Sequence, residues 1–225
     1  VFFVLSGYFV GGSVLSKGRD FSYGEYFVSR VSRLYTPLIP ALFITYLIDI
    51  KISDIDFELF SGKYYSILNS GPESNIDYSL STFTFLGNLM FLQNVIVPIY
   101  GSNSPLWSLS NEFWYYVTFP LLYHSVFFRN KIRGLKLVLI IISIGVLVSS
   151  EYLEGFLIWN LGVLAHAVDS RKTKFNLTPI IIGTLGLAVT IINSKWHFLP
   201  FLSSDLWLGM AFALFLVGTA RLNIE

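Results

Sequence analysis

One carboxylate, Glu112, lies in a stretch of mostly apolar and aromatic residues, Ser104-Pro-Leu-Trp-Ser-Leu-Ser-Asn-Glu-Phe-Trp-Tyr-Tyr-Val-Thr-Phe-Pro120. On a helix, Ser108, Glu112, Tyr115 and Phe119 share a face, at spacings of four, three and four. An ionisable group at membrane depth is costly and ordinarily turns toward a cavity or a partner. There Glu112 could act as acid or base, or orient another catalytic group. The structural alternative is a carboxylate favoured by the dipole at a helix N-terminus, with Ser108 as the cap.

A second candidate is the pair Arg30 and Arg33 in Phe27-Val-Ser-Arg-Val-Ser-Arg33. Three residues apart, they point the same way on a helix. Guanidinium forks suit phosphate or pyrophosphate, so the pair could grip a coenzyme A phosphate. Snorkelling arginines that mark membrane orientation would look the same. The third candidate is Ser6, followed by Gly7 in Phe2-Phe-Val-Leu-Ser-Gly-Tyr8. It is either a hydroxyl for chemistry or a packing notch; a nucleophilic serine needs an adjacent base, and none is near in sequence.

His124, His166 and His197 show no metal-ligand spacing, so no metal is expected. The absence of Cys excludes a disulfide scaffold, a thiolate zinc site and a cysteine nucleophile. There is no phosphate-binding Gly loop, dinucleotide fingerprint or Gly-x-Ser-x-Gly elbow.

The elements that must hold these groups belong in lipid. Only 13% of the 225 residues are charged and 54% are hydrophobic, against about a quarter charged in a soluble domain. Aromatic content of 17% fits interfacial Trp and Tyr, so nucleic-acid stacking need not be invoked and no nucleic-acid partner is expected. Apolar runs recur at Val1–Leu15, Leu34–Ile48, Thr82–Val97, Trp107–Phe128, Leu137–Val148, Phe156–Val168, Leu177–Ile192 and Leu206–Ala220. Several are shorter than the roughly 20 residues that cross a bilayer untilted, so their ends extend into flanking polar residues. Pro37 and Pro40 break the second run, and Gly7, Gly11 and Gly12 permit close helix approach in the first. The expected fold is all-α: one polytopic transmembrane bundle over residues 1–225, with about seven to eight membrane segments.

Basic residues at Lys17–Arg33, Arg129–Lys136, Arg171–Lys174 and Arg221 place those loops in the cytoplasm. The acidic polar segment at about 49–81 is then an extracytoplasmic loop. Three apolar runs lie between Arg33 and Arg129, where an even number of crossings is required. Either Thr82–Val97 is a re-entrant or half-crossing helix, or one basic loop lies on the other side; Asn88, Gln93 and Asn94 favour a re-entrant segment that lines a cavity. The chain opens on Val1 without Met or a basic leader, and reads as a fragment whose N-terminal part is missing.

Together these stretches resemble the acyltransferase 3 family of integral-membrane acyltransferases, which acylate O-antigens, exopolysaccharides, peptidoglycan and other acceptors. Phe2–Tyr8 is similar to the family's second-span signature, and Arg30 and Arg33, with Pro37 downstream, to its Arg-x-x-Arg motif. Asn88-Leu-Met-Phe-Leu-Gln93 is similar to a weaker stretch, and Trp107–Tyr116, running to Phe119-Pro120, to the most recognisable block. The likeness is clear to about residue 128 and generic beyond it. It implies transfer of an acyl group, in the first place acetyl, from acyl-CoA to a hydroxyl of a glycan or lipid-linked carbohydrate. The protein would sit in the bacterial cytoplasmic (inner) membrane and hold no resident cofactor. Arg30 and Arg33 would hold the acyl-CoA. Ser6, Trp107, Ser108, Ser110 and Tyr116 would line the substrate pocket, with Glu112 as orienter or acid/base.

The family's general base is a His eleven positions after a basic residue in the first span, which would precede Val1. Eleven positions before the histidines present stand Phe113, Gly155 and Gly186, so none substitutes for it. By this reading the isolated chain is inactive. It also requires Glu112 and the arginine pair to face one water-accessible pocket. The rival readings are a transporter or flippase half using Glu112 and the arginines as an ion path, which the lack of an inverted repeat disfavours, and a non-catalytic membrane subunit.

Overall fold

The computed structural model of the chain describes residues 1–55, 60, 78–127, 135–147, 150–169, 177–196, 199 and 205–220. Every extended element named among them is helical. In chain order these are α1 (Phe2–Ser6), a π-turn segment (Gly7–Gly11), α2 (Gly12–Lys17), a 3₁₀ turn (Gly18–Asp20), α3 (Tyr23–Ile55) and α4 (Thr82–Leu89). There follow α5 (Leu106–Phe127), α6 (Leu135–Leu147), α7 (Ser150–Asp169), α8 (Thr178–Trp196) and α9 (Asp205–Thr219). Two compact units are formed, Val1–Phe21 with Tyr115–Glu225, and Ser22–Trp114.

In the first unit, small residues set the packing. A Cβ placed on Gly7 would strike the carbonyl of Trp159, and one on Gly162 would strike the carbonyl of Val4 and lie 2.7 Å from the Tyr8 nitrogen. The α1–π segment and α7 therefore meet backbone to backbone, the close approach expected of the early glycines. Gly183 and Gly218 do the same for α8 against α9. Val4, Ile158, Ala165, Ala213 and Val217 form the buried core, with Phe3, Leu161 and Phe212 against it. The outward faces remain apolar: Ile141, Ile142 and Ile144 on α6, Leu157 and Leu164 on α7, and Ile181, Ile182, Leu185 and Ile191 on α8 are all exposed. Among the described residues, α8 is the one helix long and apolar enough to cross a bilayer, and α9 is a shorter apolar helix.

In the second unit, α3 runs unbroken for 33 residues, roughly 50 Å at about 1.5 Å per residue. This corrects two expectations. The polar stretch at 16–33 is not one loop, because the helix begins at Tyr23 and carries Arg30 and Arg33 in its early turns. Pro37 and Pro40 lie inside the helix rather than breaking it. Each removes one N–H from the ladder. The polar segment from 49 also starts inside α3, and residues 56–59 and 61–77 lie outside the described ones.

Thr82–Val97 is helical only over α4. Ser81 caps α4, accepting from the Thr84 N–H at 3.1 Å, and the chain turns at Phe91 (φ 58) and Asn94 (φ 61). The polarity that suggested a cavity lining is used within the chain. Asn88, fully buried, donates to the carbonyls of Thr84 and Pro98 at 2.9 Å each and accepts from the Tyr100 N–H at 3.1 Å. Gln93 donates to the Leu106 carbonyl at 2.8 Å. Arg129, Lys131, Arg133, Arg171, Lys172, Lys174 and Arg221, on which orientation partly rests, lie outside the described residues, as does the candidate His197.

Candidate functional site

In the first unit the structure joins two of the expected pocket residues. The Ser6 and Tyr116 hydroxyls are 3.0 Å apart, although 110 positions separate them. The Trp159 indole N–H donates to the same Ser6 oxygen at 3.1 Å. Trp159 is fully buried and Tyr116 nearly so. Around the indole, Phe119 meets Trp159 edge to face at 5.1 Å and Phe156 lies parallel to it at 6.1 Å. Polar groups enclosed by aromatic walls interact more strongly than in water. Tyr115, expected on the Glu112 face, gives its hydroxyl proton to the Tyr152 carbonyl at 3.0 Å.

His124 and His166 make their hydrogen bonds away from this hub. His124 has its Nδ1 2.9 Å from the Pro120 carbonyl and its Nε2 3.0 Å from the Gly18 carbonyl. His166 has its Nε2 3.2 Å from the Ser16 hydroxyl. No cluster of His, Asp or Glu among the described residues could hold a metal ion. A cleft of about 210 Å³ opens between α5 and α7, lined by Phe119, Leu122, Tyr123, Val126, Phe156 and Asn160 among others. None of the expected pocket residues, and neither Glu112 nor the arginines, lines it.

Arg30, Arg33, Trp107, Ser108, Ser110 and Glu112 belong to the second unit. Glu112 is only 5% exposed. Because α5 starts at Leu106, Glu112 sits in the second turn, beyond the first-turn amides that a dipole-stabilised carboxylate would neighbour. Ser108 is inside the helix rather than its cap, and donates to the Pro105 carbonyl at 2.9 Å. Ser110 donates to the Phe91 carbonyl at 2.8 Å, and the Trp114 indole donates to the same oxygen at 3.1 Å. Together with the stack of Phe91 on Phe113 at 4.6 Å, these bonds hold Phe91 in a backbone region that bulky residues rarely adopt. Ser110 thus braces the turn after α4. Trp107 is 40% exposed.

The arginine pair divides. Arg33 is exposed, whereas Arg30 is half-buried, its guanidinium 5.7 Å from the centre of the Tyr26 ring. Burial pushes the Tyr26 phenol well above its usual pKa, and the Arg30 charge pulls it partly back. Phe27, one turn before Arg30, meets Phe113 edge to face at 6.1 Å. That contact sets the Arg30 end of α3 beside the turn of α5 that carries Glu112.

Residues 1–224 match the family model described as an acyltransferase domain, Acyl_transf_3. The chain belongs to the acyltransferase 3 family. No curated protein and no solved structure matches it. Membership assigns the chain an acyltransferase activity in general, and the match extends well past residue 128, where the sequence motifs become generic.

Two features of this acyltransferase escaped the sequence reading. Trp159 lies in a late apolar run where no motif marks it. Asp49, assigned to a loop, is a fully buried carboxylate on α3. It accepts from the Ser102 N–H and the Ser102 hydroxyl at 2.7 Å each, while Asn103 donates to the Thr45 hydroxyl at 2.8 Å. Gly101 takes φ 59 between them, and a Cβ there would strike Asp49. The spacing of Thr45 and Asp49, four apart on one helical face, is the signal that could have found this clamp.

Proposed function

We propose that this acyltransferase works within a lipid bilayer and moves an acyl group, in the first place acetyl, from acyl-CoA to a hydroxyl of a cell-surface carbohydrate or lipid-linked glycan. The observation that carries the reading is the meeting of Ser6 and Tyr116. Two hydroxyls from separate family motifs form a polar focus at 3.0 Å, walled by aromatic rings. The acceptor oxygen bonds to the thioester carbon, the carbon–sulfur bond breaks, and the thiol of coenzyme A is released with the acceptor's proton. The outward apolar faces of α6, α7 and α8 support burial in lipid, since soluble proteins seldom expose continuous surfaces of this kind. Arg30 and Arg33 supply donors suited to the acidic phosphates of coenzyme A at the cytoplasmic side of the bacterial inner membrane. Glu112, a buried carboxylate within the most recognisable motif, is the group this reading assigns to orienting or exchanging a proton.

The test is release of free thiol from acetyl-CoA by the full-length protein in proteoliposomes, with and without a lipid-linked glycan. Acceptor-dependent release is expected. Glycan translocation without thiol release would refute the reading.

A further inference from the structure

We propose that the cleft between α5 and α7 holds one hydrocarbon chain of an anionic glycerophospholipid of the cytoplasmic leaflet, with Lys17 and Arg19 receiving its phosphate. The inference rests on the bilayer location proposed above and not on the transfer reaction.

The walls of the cleft suit a hydrocarbon chain. On α5 the rings of Phe119, Tyr123 and Phe127 follow one another at 5.9 and 4.9 Å between centres, and Phe156 closes the α7 side. Asn160, also in the α7 wall, turns its amide nitrogen to the Phe156 carbonyl at 2.8 Å, within its own helix. Such walls offer dispersion contacts along their length and little that would repay a polar ligand for losing water. The cleft opens outward, since Val126 and Phe127 in its lining are 68% and 69% exposed. Its occupant therefore enters from the medium around that surface, and in a bilayer that medium is lipid. From Phe119 to Phe127 the helix rises about 12 Å at about 1.5 Å per residue. Half of a roughly 30 Å hydrocarbon core is about 15 Å, so the run suits one chain of one leaflet.

The contacts of His124 place the charged end of the lipid. His124 lies in the last turn of α5, its ring 5.2 Å from the Tyr123 ring in the cleft wall. Its Nε2 is 3.0 Å from the Gly18 carbonyl, and Phe21 packs on the same imidazole at 4.7 Å. These contacts tie the turn at Gly18–Asp20 to the Phe127 end of the cleft. Lys17 and Arg19, on either side of Gly18, are both exposed. With the exposed Asp20 counted, two cations and one carboxylate leave this stretch at a net charge of +1. Long basic side chains keep their stems on apolar surface while the charge reaches the headgroup level. The same stretch carries the basic residues that point to the cytoplasm, where the leaflet is rich in anionic lipids. A zwitterionic headgroup gains less from the pair, because its own cation offsets the phosphate.

The test is native mass spectrometry of the detergent-purified full-length protein, titrated with phosphatidylglycerol or with phosphatidylcholine of the same chains. One phosphatidylglycerol should bind about tenfold more tightly than phosphatidylcholine, since each basic residue near an anionic surface contributes several-fold. Val126→Trp, which lays an indole across the cleft from an exposed position, should weaken phosphatidylglycerol binding about tenfold by excluding chain contacts. Lys17→Gln combined with Arg19→Gln should lower phosphatidylglycerol to the phosphatidylcholine level and leave phosphatidylcholine unchanged. Leu164→Trp, at an exposed position of α7 outside the cleft, should bind as wild type and controls for a tryptophan on the lipid face. Equal affinity for the two lipids, an undiminished Val126→Trp, or displacement of phosphatidylglycerol by a lower concentration of a polyprenyl monophosphate would each overturn the assignment. The last result would give the cleft to the tail of a lipid-linked acceptor. Thiol release from acetyl-CoA by a protein without lipid selectivity would refute this site alone. Lipid selectivity without thiol release would refute the transfer and leave the site standing. A full-length protein released from membranes by alkaline carbonate would refute the bilayer reading and the site together.

Discussion

Gly7→Ala probes the backbone seam on which the Ser6 site is built. The added methyl would strike the carbonyl oxygen of Trp159, with the carbonyl carbon at 2.9 Å and the Gly162 Cα at 3.4 Å. Ordinary carbon contacts lie at about 3.5–4.0 Å, so α7 must retreat by roughly 1 Å. No rotamer change relieves this, because the opposing wall is main chain. Overpacking of this kind costs about 1–3 kcal/mol. The same retreat stretches the 3.1 Å bond from Trp159 to Ser6 beyond hydrogen-bonding range, a further loss of about 1 kcal/mol. Alanine's better helix propensity returns about 1 kcal/mol. The net loss is about 1–3 kcal/mol, which at about 2–4 °C per kcal/mol for a chain of this size lowers Tm by roughly 2–12 °C. The assay is thermal melting of the detergent-solubilised protein at a fixed scan rate, since unfolding of such proteins is often irreversible. Gly145→Ala is the control, because a Cβ there meets nothing within 4 Å. A Gly7→Ala protein that melts with wild type, or a Gly145→Ala protein that falls as far, would refute the seam.

Three further substitutions address the second unit. Asp49→Ala removes the acceptor for both Ser102 bonds and should cost at least about 2 kcal/mol; loss of amide-exchange protection at Ser102 checks it, and Asp49→Asn should be intermediate. Arg30→Ala should weaken acetyl-CoA binding by about 10–100-fold, the loss of one charge-assisted contact, and direct titration of the donor showing unchanged affinity would rule out the clamp. Glu112→Gln, which keeps the shape and removes the charge, should lower kcat by about 10²–10⁴-fold at unchanged KM if the carboxylate exchanges a proton; initial rates decide, with melting as the control for folding.

Composition and apolar run length made the helices legible, because a segment in lipid must satisfy its own backbone polar groups and a helix does so within the segment. The early glycines announced close packing for an equally local reason. Pro37 and Pro40 misled, because their effect depends on whether surrounding helices and hydroxyls can tolerate the missing donors. The Thr82–Val97 polarity misled because Asn88 and Gln93 satisfy main-chain groups brought near by the turn, which a one-dimensional pattern does not contain.

By itself the sequence determined the all-helical architecture, the motifs that place the chain in its family, and the residue types able to do chemistry. Only the tertiary structure decided which of those hydroxyls meet. Ser6 reaches Tyr116 across 110 positions and Trp159 across 153. Ser110 turns instead to the Phe91 carbonyl, and Asp49 closes on Ser102. Helical spacing fixes the face a side chain occupies, whereas a hydrogen bond also needs a partner on another element within about 3 Å. That partner is chosen by how closely the backbones can approach, which in this acyltransferase is set where Gly7 and Gly162 leave no room for a methyl group.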